Sequence, residues 1–182
     1  MKTKDMVYIA IFSALMAICS WLTITLPIAA VPFTLQTFAV FLALLVLGGK
    51  RGTIAILVYI GIGMVGLPVF ANFKGGLATL FSSTGGYIFG FIAQGVIYIV
   101  MCKVFGEKTP VKIIALILGL FACYAFGTAW FVQIYTKNSG EIGYVTALSW
   151  CVIPYIVPDL LKMALAITIS KRLEKNISFS NT

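Results

Sequence analysis

Residues 6–51 read MVYIAIFSALMAICSWLTITLPIAAVPFTLQTFAVFLALLVLGGKR, and no Asp, Glu, Lys or Arg interrupts them between Met6 and Gly49. A helix that crosses a bilayer needs about 20 predominantly apolar residues. This stretch is too long for one crossing and too apolar for a domain in water. Pro27 and Pro32 divide it, because proline removes a helix hydrogen bond and clashes with the preceding turn. It therefore reads as a first span from Met6 to Leu26, a turn from Leu26 to Phe33, and a second span over Thr34 to Leu47. Gly48-Gly49-Lys50-Arg51-Gly52 follows as a tight basic turn.

The pattern repeats along the chain. A third apolar stretch runs from Thr53 to Leu67 and stops at Pro68. A fourth opens at Gly85-Gly86-Tyr87 and ends near Cys102, and Lys103 to Lys112 forms the next basic turn. A fifth covers Ile113 to Tyr135, Thr136 to Tyr144 is a polar loop, and a sixth runs from Val145 to Ile169. The 182 residues are 61% hydrophobic and only 10% charged, with a mean hydropathy of +1.07. Soluble domains carry about 25% charged residues. A soluble enzyme, a disordered chain and a nucleic-acid-binding domain are excluded on that ground. The expected fold is all-α: residues 1–182 form a single domain of six helices in the lipid bilayer. The first span resembles a signal peptide, but it is too long and lacks a cleavage site, so it reads as retained.

The net charge of +8 follows membrane topology, not a nucleic-acid surface. Six spans put both termini on one side. That side collects Lys2, Lys4, Lys50, Arg51, Lys103, Lys108, Lys112, Lys171, Arg172 and Lys175, against Lys74 and Lys137 on the other. Positive residues concentrate on the cytoplasmic side. The reading is a multi-pass protein of the cell membrane with both termini in the cytoplasm and the loop from Pro68 to Ser83 outside. That loop is rich in aromatic and aliphatic residues, so it is expected to fold onto protein or line a cavity.

Several chemistries are ruled out by what is missing. There is no histidine, which removes Ser-His-Asp and Cys-His arrangements and the zincin motif. No phosphate-cradling G-x-x-x-x-G-K-[ST] is present, so the chain has no ATPase site of its own. Carboxylates are not clustered, and Asp5, Glu107, Glu141 and Glu174 read as terminal or in loops. Cys19, Cys102, Cys123 and Cys151 lie in or beside apolar stretches without metal-ligand spacing and read as small hydrophobes. The expectation is no enzyme, no metal and no cofactor. A lipid-modifying enzyme is disfavoured by the lack of histidine and of clustered carboxylates, and a passive channel by a single charged pair beside a closing loop.

The sixth span holds the anomaly, Pro154-Tyr155-Ile156-Val157-Pro158-Asp159-Leu160-Leu161-Lys162. Asp159 and Lys162, three apart, share a helix face. Charges inside a membrane are expensive and mark sites by default. The pair is either an internal ion pair orienting the helix or a ligand site, with Asp159 accepting N–H groups and Lys162 binding a carboxylate or carbonyl oxygen. Pro158 is expected to break the helix there. Lys74, beside Gly75-Gly76, is either a solvated lysine or a lid residue over an anionic ligand; with it the three charges sum to +1, which one carboxylate neutralises. Gln36, Asn72 and Tyr87 are pocket groups or packing contacts, and Phe33 is a candidate wall for an apolar ring. Small residues at Ala10, Ala14 and Ala17 allow close helix approach, within the bundle or against a second membrane protein.

Taken together, Val31-Pro32-Phe33-Thr34-Leu35-Gln36-Thr37, Gly48-Gly49-Lys50-Arg51-Gly52, Gly66-Leu67-Pro68-Val69-Phe70, Gly75-Gly76, Gly85-Gly86-Tyr87 and Pro158-Asp159-x-x-Lys162 resemble the BioY family in order and spacing. BioY proteins are the biotin-binding components of energy-coupling factor transporters. The resemblance covers nearly the whole chain. It implies a six-helix component that captures biotin from outside and works with a transmembrane coupling protein and two cytosolic ATPases, which alone use ATP. It implies ligand contacts at Asp159 and Lys162, a site role for the loop at Gly75 and Gly76, and partner docking at Ala10 and Ala14. Lys74 departs from the family, where a small polar residue such as Asn precedes the glycines. The alternative is the same architecture with another vitamin.

Overall fold

The computed structural model describes residues 2–24 and 31–174. Part of the expected Leu26–Phe33 turn, with Pro27, lies outside the described residues, as do Lys175 and the polar tail. Helix α1 spans Thr3–Trp21. A two-residue antiparallel ladder follows, with β1 at Thr23–Ile24 paired to β2 at Phe33–Thr34. This ladder ends the first helix earlier than the apolar run suggested, because extended pairing competes with another helical turn.

Helix α2 covers Gln36–Met64 but is broken at Gly48, whose φ of 77° and ψ of 169° are not helical. A left-handed φ is strained for any residue with a Cβ, and glycine takes it freely. The break reverses the chain. A Cβ built on Gly52 would lie 2.9 Å from both the Ala43 carbonyl and the Leu44 Cα, atoms that a straight helix would separate by roughly 12 Å. The five-residue basic turn expected here is therefore a one-residue turn. Lys50, Arg51 and Gly52 already belong to the returning arm, which stops at Met64, short of Leu67.

A short 3-10 helix, Ala71–Phe73, and helix α3, Leu77–Leu80, occupy the next loop. Helix α4 is Gly85–Phe105, α5 is Thr109–Ser139, α6 is Tyr144–Cys151 and α7 is Ile153–Glu174. The basic turn between α4 and α5 shrinks accordingly, and Lys112 and Lys137 fall inside α5. The break in the last span is at Val152 (φ −125°, ψ −55°), not at Pro158, which sits within α7. Pro154, in the first turn of α7, loses an N–H that would have no intrahelical partner, whereas Pro158 is inside the helix and leaves the Pro154 carbonyl without its i+4 N–H donor.

Among the described residues, five stretches, with α6 and α7 taken together, are long and apolar enough to cross a membrane. The chain is a multi-pass, helical membrane protein. Helix α2 packs on α1, α4 and α7, and α4 packs along α5. Small residues set these approaches: a Cβ on Gly90 would meet Cys123, and one on Gly119 would meet Gln94. Asp5 is not a free terminal carboxylate. It lies in the first turn of α1, is 8% exposed, and pairs with Arg51 Nε at 3.1 Å. All four cysteines are free thiols.

Candidate functional site

A cavity of about 600 Å³ lies at the end of the bundle away from the Gly48 turn. Its walls come from the start of α2 (Thr34, Gln36, Thr37), the loop after α2 (Phe70 to Thr84), α4 (Tyr87, Ile88, Phe91), α5 (Cys123, Tyr124) and α6–α7 (Cys151, Tyr155, Asp159, Lys162). This volume suits a small organic ligand, for which sites of about 300–1,000 Å³ are usual.

The charged pair is at its wall. Asp159 is 3% and Lys162 6% exposed. Lys162 Nζ donates to Asp159 Oδ1 at 2.8 Å, to the Thr34 carbonyl at 2.6 Å and to the Thr37 hydroxyl at 3.2 Å. The ammonium also sits 4.1 Å from the centroid of the Phe33 ring, a cation–π arrangement that suits a desolvated lysine. The Thr37 hydroxyl donates to Asp159 Oδ1 at 2.8 Å, and the Tyr124 hydroxyl donates to Oδ2 at 2.5 Å. Each charge is thus paired and hydrogen-bonded, as burial requires.

Gln36 lies one residue before Thr37 on the same wall. Its Nε2 donates to the Tyr59 hydroxyl at 2.5 Å, and its Oε1 accepts from the Thr34 hydroxyl at 3.2 Å. Tyr59 in turn donates to the Val69 carbonyl at 3.1 Å, which ties the cavity floor to the base of the loop. The loop is bound to the bundle at both ends. Trp21 Nε1 donates to the Pro68 carbonyl at 2.8 Å, and Trp130 Nε1 donates to the Ser82 carbonyl at 2.9 Å. The ring of Phe70, 1% exposed, is tucked against Gly63 and lines the cavity. The loop therefore folds onto protein and closes a cavity, as its apolar composition suggested.

Of the residues singled out from the sequence, Asp159, Lys162, Lys74, Gln36, Tyr87 and Asn72 all line this cavity. Lys74 and Asn72 are exposed at its mouth. Tyr87 shares a 3.0 Å hydrogen bond with Thr128. Phe33 is not in the wall; it stacks on Tyr155 and backs Lys162. Gly75 and Gly76 are not in the wall either. A Cβ on Gly75 would lie 2.2 Å from the Leu67 carbonyl, and the Gly76 amide donates to the Gly63 carbonyl at 2.7 Å. These two glycines shape the loop. Ala10, Ala14 and Ala17 line a separate, apolar groove of about 410 Å³ with Trp21, Tyr59 and Val69.

The sequence reading assigned no role to Tyr124 or Thr37. Thr37 had a signal, since Thr34, Gln36 and Thr37 are polar groups gathered at the head of an apolar span. Tyr124 had none: it is one tyrosine inside the apolar fifth span, and only helix packing points it at Asp159.

A family model described as the BioY family matches residues 1–179. The chain belongs to the BioY family. It is 38% identical to the biotin transporter BioY of Thermotoga maritima, over 94% of this chain and 96% of that protein. It is 37% identical to a probable biotin transporter BioY of Pyrococcus horikoshii, over 97% and 99% of the two chains. In three dimensions it matches a crystal structure of the S-component for biotin from an ECF-type ABC transporter. That match has a TM-score of 0.83 and 26% identity, covering 98% of this chain and 97% of the other. The BioY match therefore extends to the fold as well as the sequence motifs.

Proposed function

We propose that this chain is the biotin-capturing membrane component of an energy-coupling factor transporter. One observation carries the reading: the paired, buried Asp159 and Lys162 form part of a cavity of about 600 Å³ whose mouth is lined by Lys74 and Asn72. Biotin matches this division of chemistry. Its ureido ring offers N–H donors for Asp159, its thioether ring is apolar and suits Phe70, Ile88 and Phe91, and its valerate is anionic and suits the end carrying Lys74. The membership of the BioY family and the likeness to a biotin S-component support the same reading.

The role is capture, not catalysis. The chain needs no cofactor, and ATP is used by two cytosolic ATPases that act with a transmembrane coupling protein. The groove at Ala10, Ala14 and Ala17 is the face offered to that coupling protein. Counting the two arms of α2 as separate spans makes six, which keeps both termini in the cytoplasm of a plasma-membrane protein. The positive charge at the Gly48 turn supports that orientation. Residues 1–182 act as one substrate-binding domain, a reading supported by the family match over 1–179.

The test is equilibrium binding of biotin to the purified protein, with riboflavin and thiamine as competitors. Saturable binding that neither competitor displaces is expected. A folded preparation that ignores biotin and takes another vitamin would transfer the architecture to that ligand.

A further inference from the structure

The loop between α2 and α4 has two sides. Phe70 and Leu80, each 1% exposed, are packed into the protein. Leu67, Phe73, Leu77 and Phe81 are all more than half exposed. The exposed polar side chains of the loop, Asn72 and Lys74, lie at the cavity mouth. Asn72 and Phe73 both have a left-handed backbone, with φ of 58° and 56°, which a bulky side chain seldom adopts. Within this turn Asn72 and Lys74 line the cavity, while the Phe73 ring stacks on the indole of Trp21 with centroids 5.1 Å apart.

Two tryptophans carry the loop, one on each flank. Trp21, the last residue of α1, donates to the Pro68 carbonyl at 2.8 Å. Trp130 of α5 donates to the Ser82 carbonyl at 2.9 Å and lies 6.3 Å from the Phe81 ring. The surface around each is apolar and open: Ile18 and Leu22 beside Trp21, and Phe126 beside Trp130, are about half exposed. Both helices start at the end of the bundle with the Gly48 turn. At a rise of about 1.5 Å per residue, Trp21 lies about 27 Å from the start of α1 and Trp130 about 32 Å from the start of α5. A hydrocarbon core is about 30 Å thick. The two indoles therefore reach the same bilayer interface, where tryptophan is enriched because its ring is apolar and its N–H polar.

We propose that this loop is an interfacial element, with Phe73 and Phe81 seated in the headgroup–acyl boundary of the leaflet on the cavity side. Apolar groups bound in this way sit about 5–10 Å into that boundary. The occupant is lipid, because Phe73 and Phe81 continue the exposed apolar surfaces of α1 and α5. The loop over the cavity is then held by lipid as well as by two indole hydrogen bonds, while Asn72 and Lys74 keep the mouth in contact with water. This holds whatever ligand the cavity takes.

Spin labels at Phe73→Cys, Phe81→Cys and Asn72→Cys report the surroundings, in a Cys102→Ser background and in nanodiscs that hold the chain without partners. Cys19, Cys123 and Cys151 are buried, and the background protein labelled in parallel gives the blank. At positions 73 and 81, collisions with oxygen, which concentrates in lipid, are expected to exceed those with a water-soluble nickel chelate at least threefold. At position 72 the order is expected to reverse. Nickel access at 73 and 81 equal to that at 72 puts the loop in water and overturns the proposal. Shielding of 73 and 81 from both reagents means that protein covers them, and overturns it too. A second measurement leaves the loop intact. In Trp150→Phe protein, whose remaining tryptophans are Trp21 and Trp130, lipids brominated near the headgroup are expected to quench fluorescence more than lipids brominated near the chain ends. Absent quenching, or stronger quenching from the chain ends, refutes the interfacial position. Neither measurement involves biotin, so neither outcome bears on the functional reading.

Discussion

Asp159→Asn is the most informative single change, because it keeps the shape of the side chain and alters only its charge and half its acceptors. The remaining carbonyl oxygen can still serve Thr37 and Lys162, the two donors now on Oδ1. The new NH₂ group then occupies the place of Oδ2. Tyr124 can rotate its hydroxyl to accept from it, so the conflict falls on the ligand, whose N–H faces another donor. A hydrogen bond to a charged acceptor contributes about 1.5–3 kcal/mol, and leaving a buried donor unpaired costs about 1–3 kcal/mol. The combined loss is about 2.5–6 kcal/mol, which at 1.4 kcal/mol per tenfold is roughly a 60- to 20,000-fold rise in Kd.

The assay is equilibrium dialysis of radiolabelled biotin against the protein in nanodiscs, with binding scaled to the folded fraction. Thermal melting controls for stability, because Lys162 loses its counter-ion and removing one partner of a buried pair is destabilising. A folded Asp159→Asn protein that binds biotin within threefold of wild type would refute the assignment of Asp159 as the ligand's acceptor.

Three other changes test separate parts of the argument. Lys74 is exposed, and such charge pairs contribute up to about 1 kcal/mol. Lys74→Ala should therefore weaken biotin about two- to fivefold and the biotin carboxamide hardly at all, and equal losses would remove the lysine from carboxylate recognition. A Cβ on Gly63 would lie 2.1 Å from the Phe70 ring, so Gly63→Val should displace that ring from the cavity wall. Overpacking of this kind costs about 1–3 kcal/mol, and an unchanged melting temperature and Kd would show that Phe70 moves freely. Ala14→Trp fills the groove beside Trp21 and Tyr59; it should leave biotin binding within twofold and abolish ATP-driven uptake in cells carrying the partner subunits. Normal uptake would remove the groove from partner docking.

The membrane-spanning segments were legible because their signal is local. Apolar runs of spanning length with polar or glycine-bearing interruptions mark helices in lipid, whatever their neighbours. The anomaly at Asp159 and Lys162 was legible for the same reason, since a charge in an apolar span stands out without any knowledge of packing. The helix ends were less so. The first helix stops at Trp21 because β1 pairs with β2, and the last span breaks at Val152 although two prolines follow it. The first depends on a pairing with residues that the local pattern does not reveal.

The sequence by itself determined that this is a helical protein of the membrane, which stretches form its spans though not where they end, and which pair of charges needs an explanation. These follow from transfer free energies that each segment carries alone. Only the tertiary structure decided that the reversal expected at Gly48–Gly52 takes the single residue Gly48, that Gly75 and Gly76 shape the loop without lining the cavity, and that Thr37 and Tyr124 hold Asp159. Those outcomes require side chains from α2, α5 and α7 to meet within hydrogen-bond distance, and no property of a single segment encodes such a meeting.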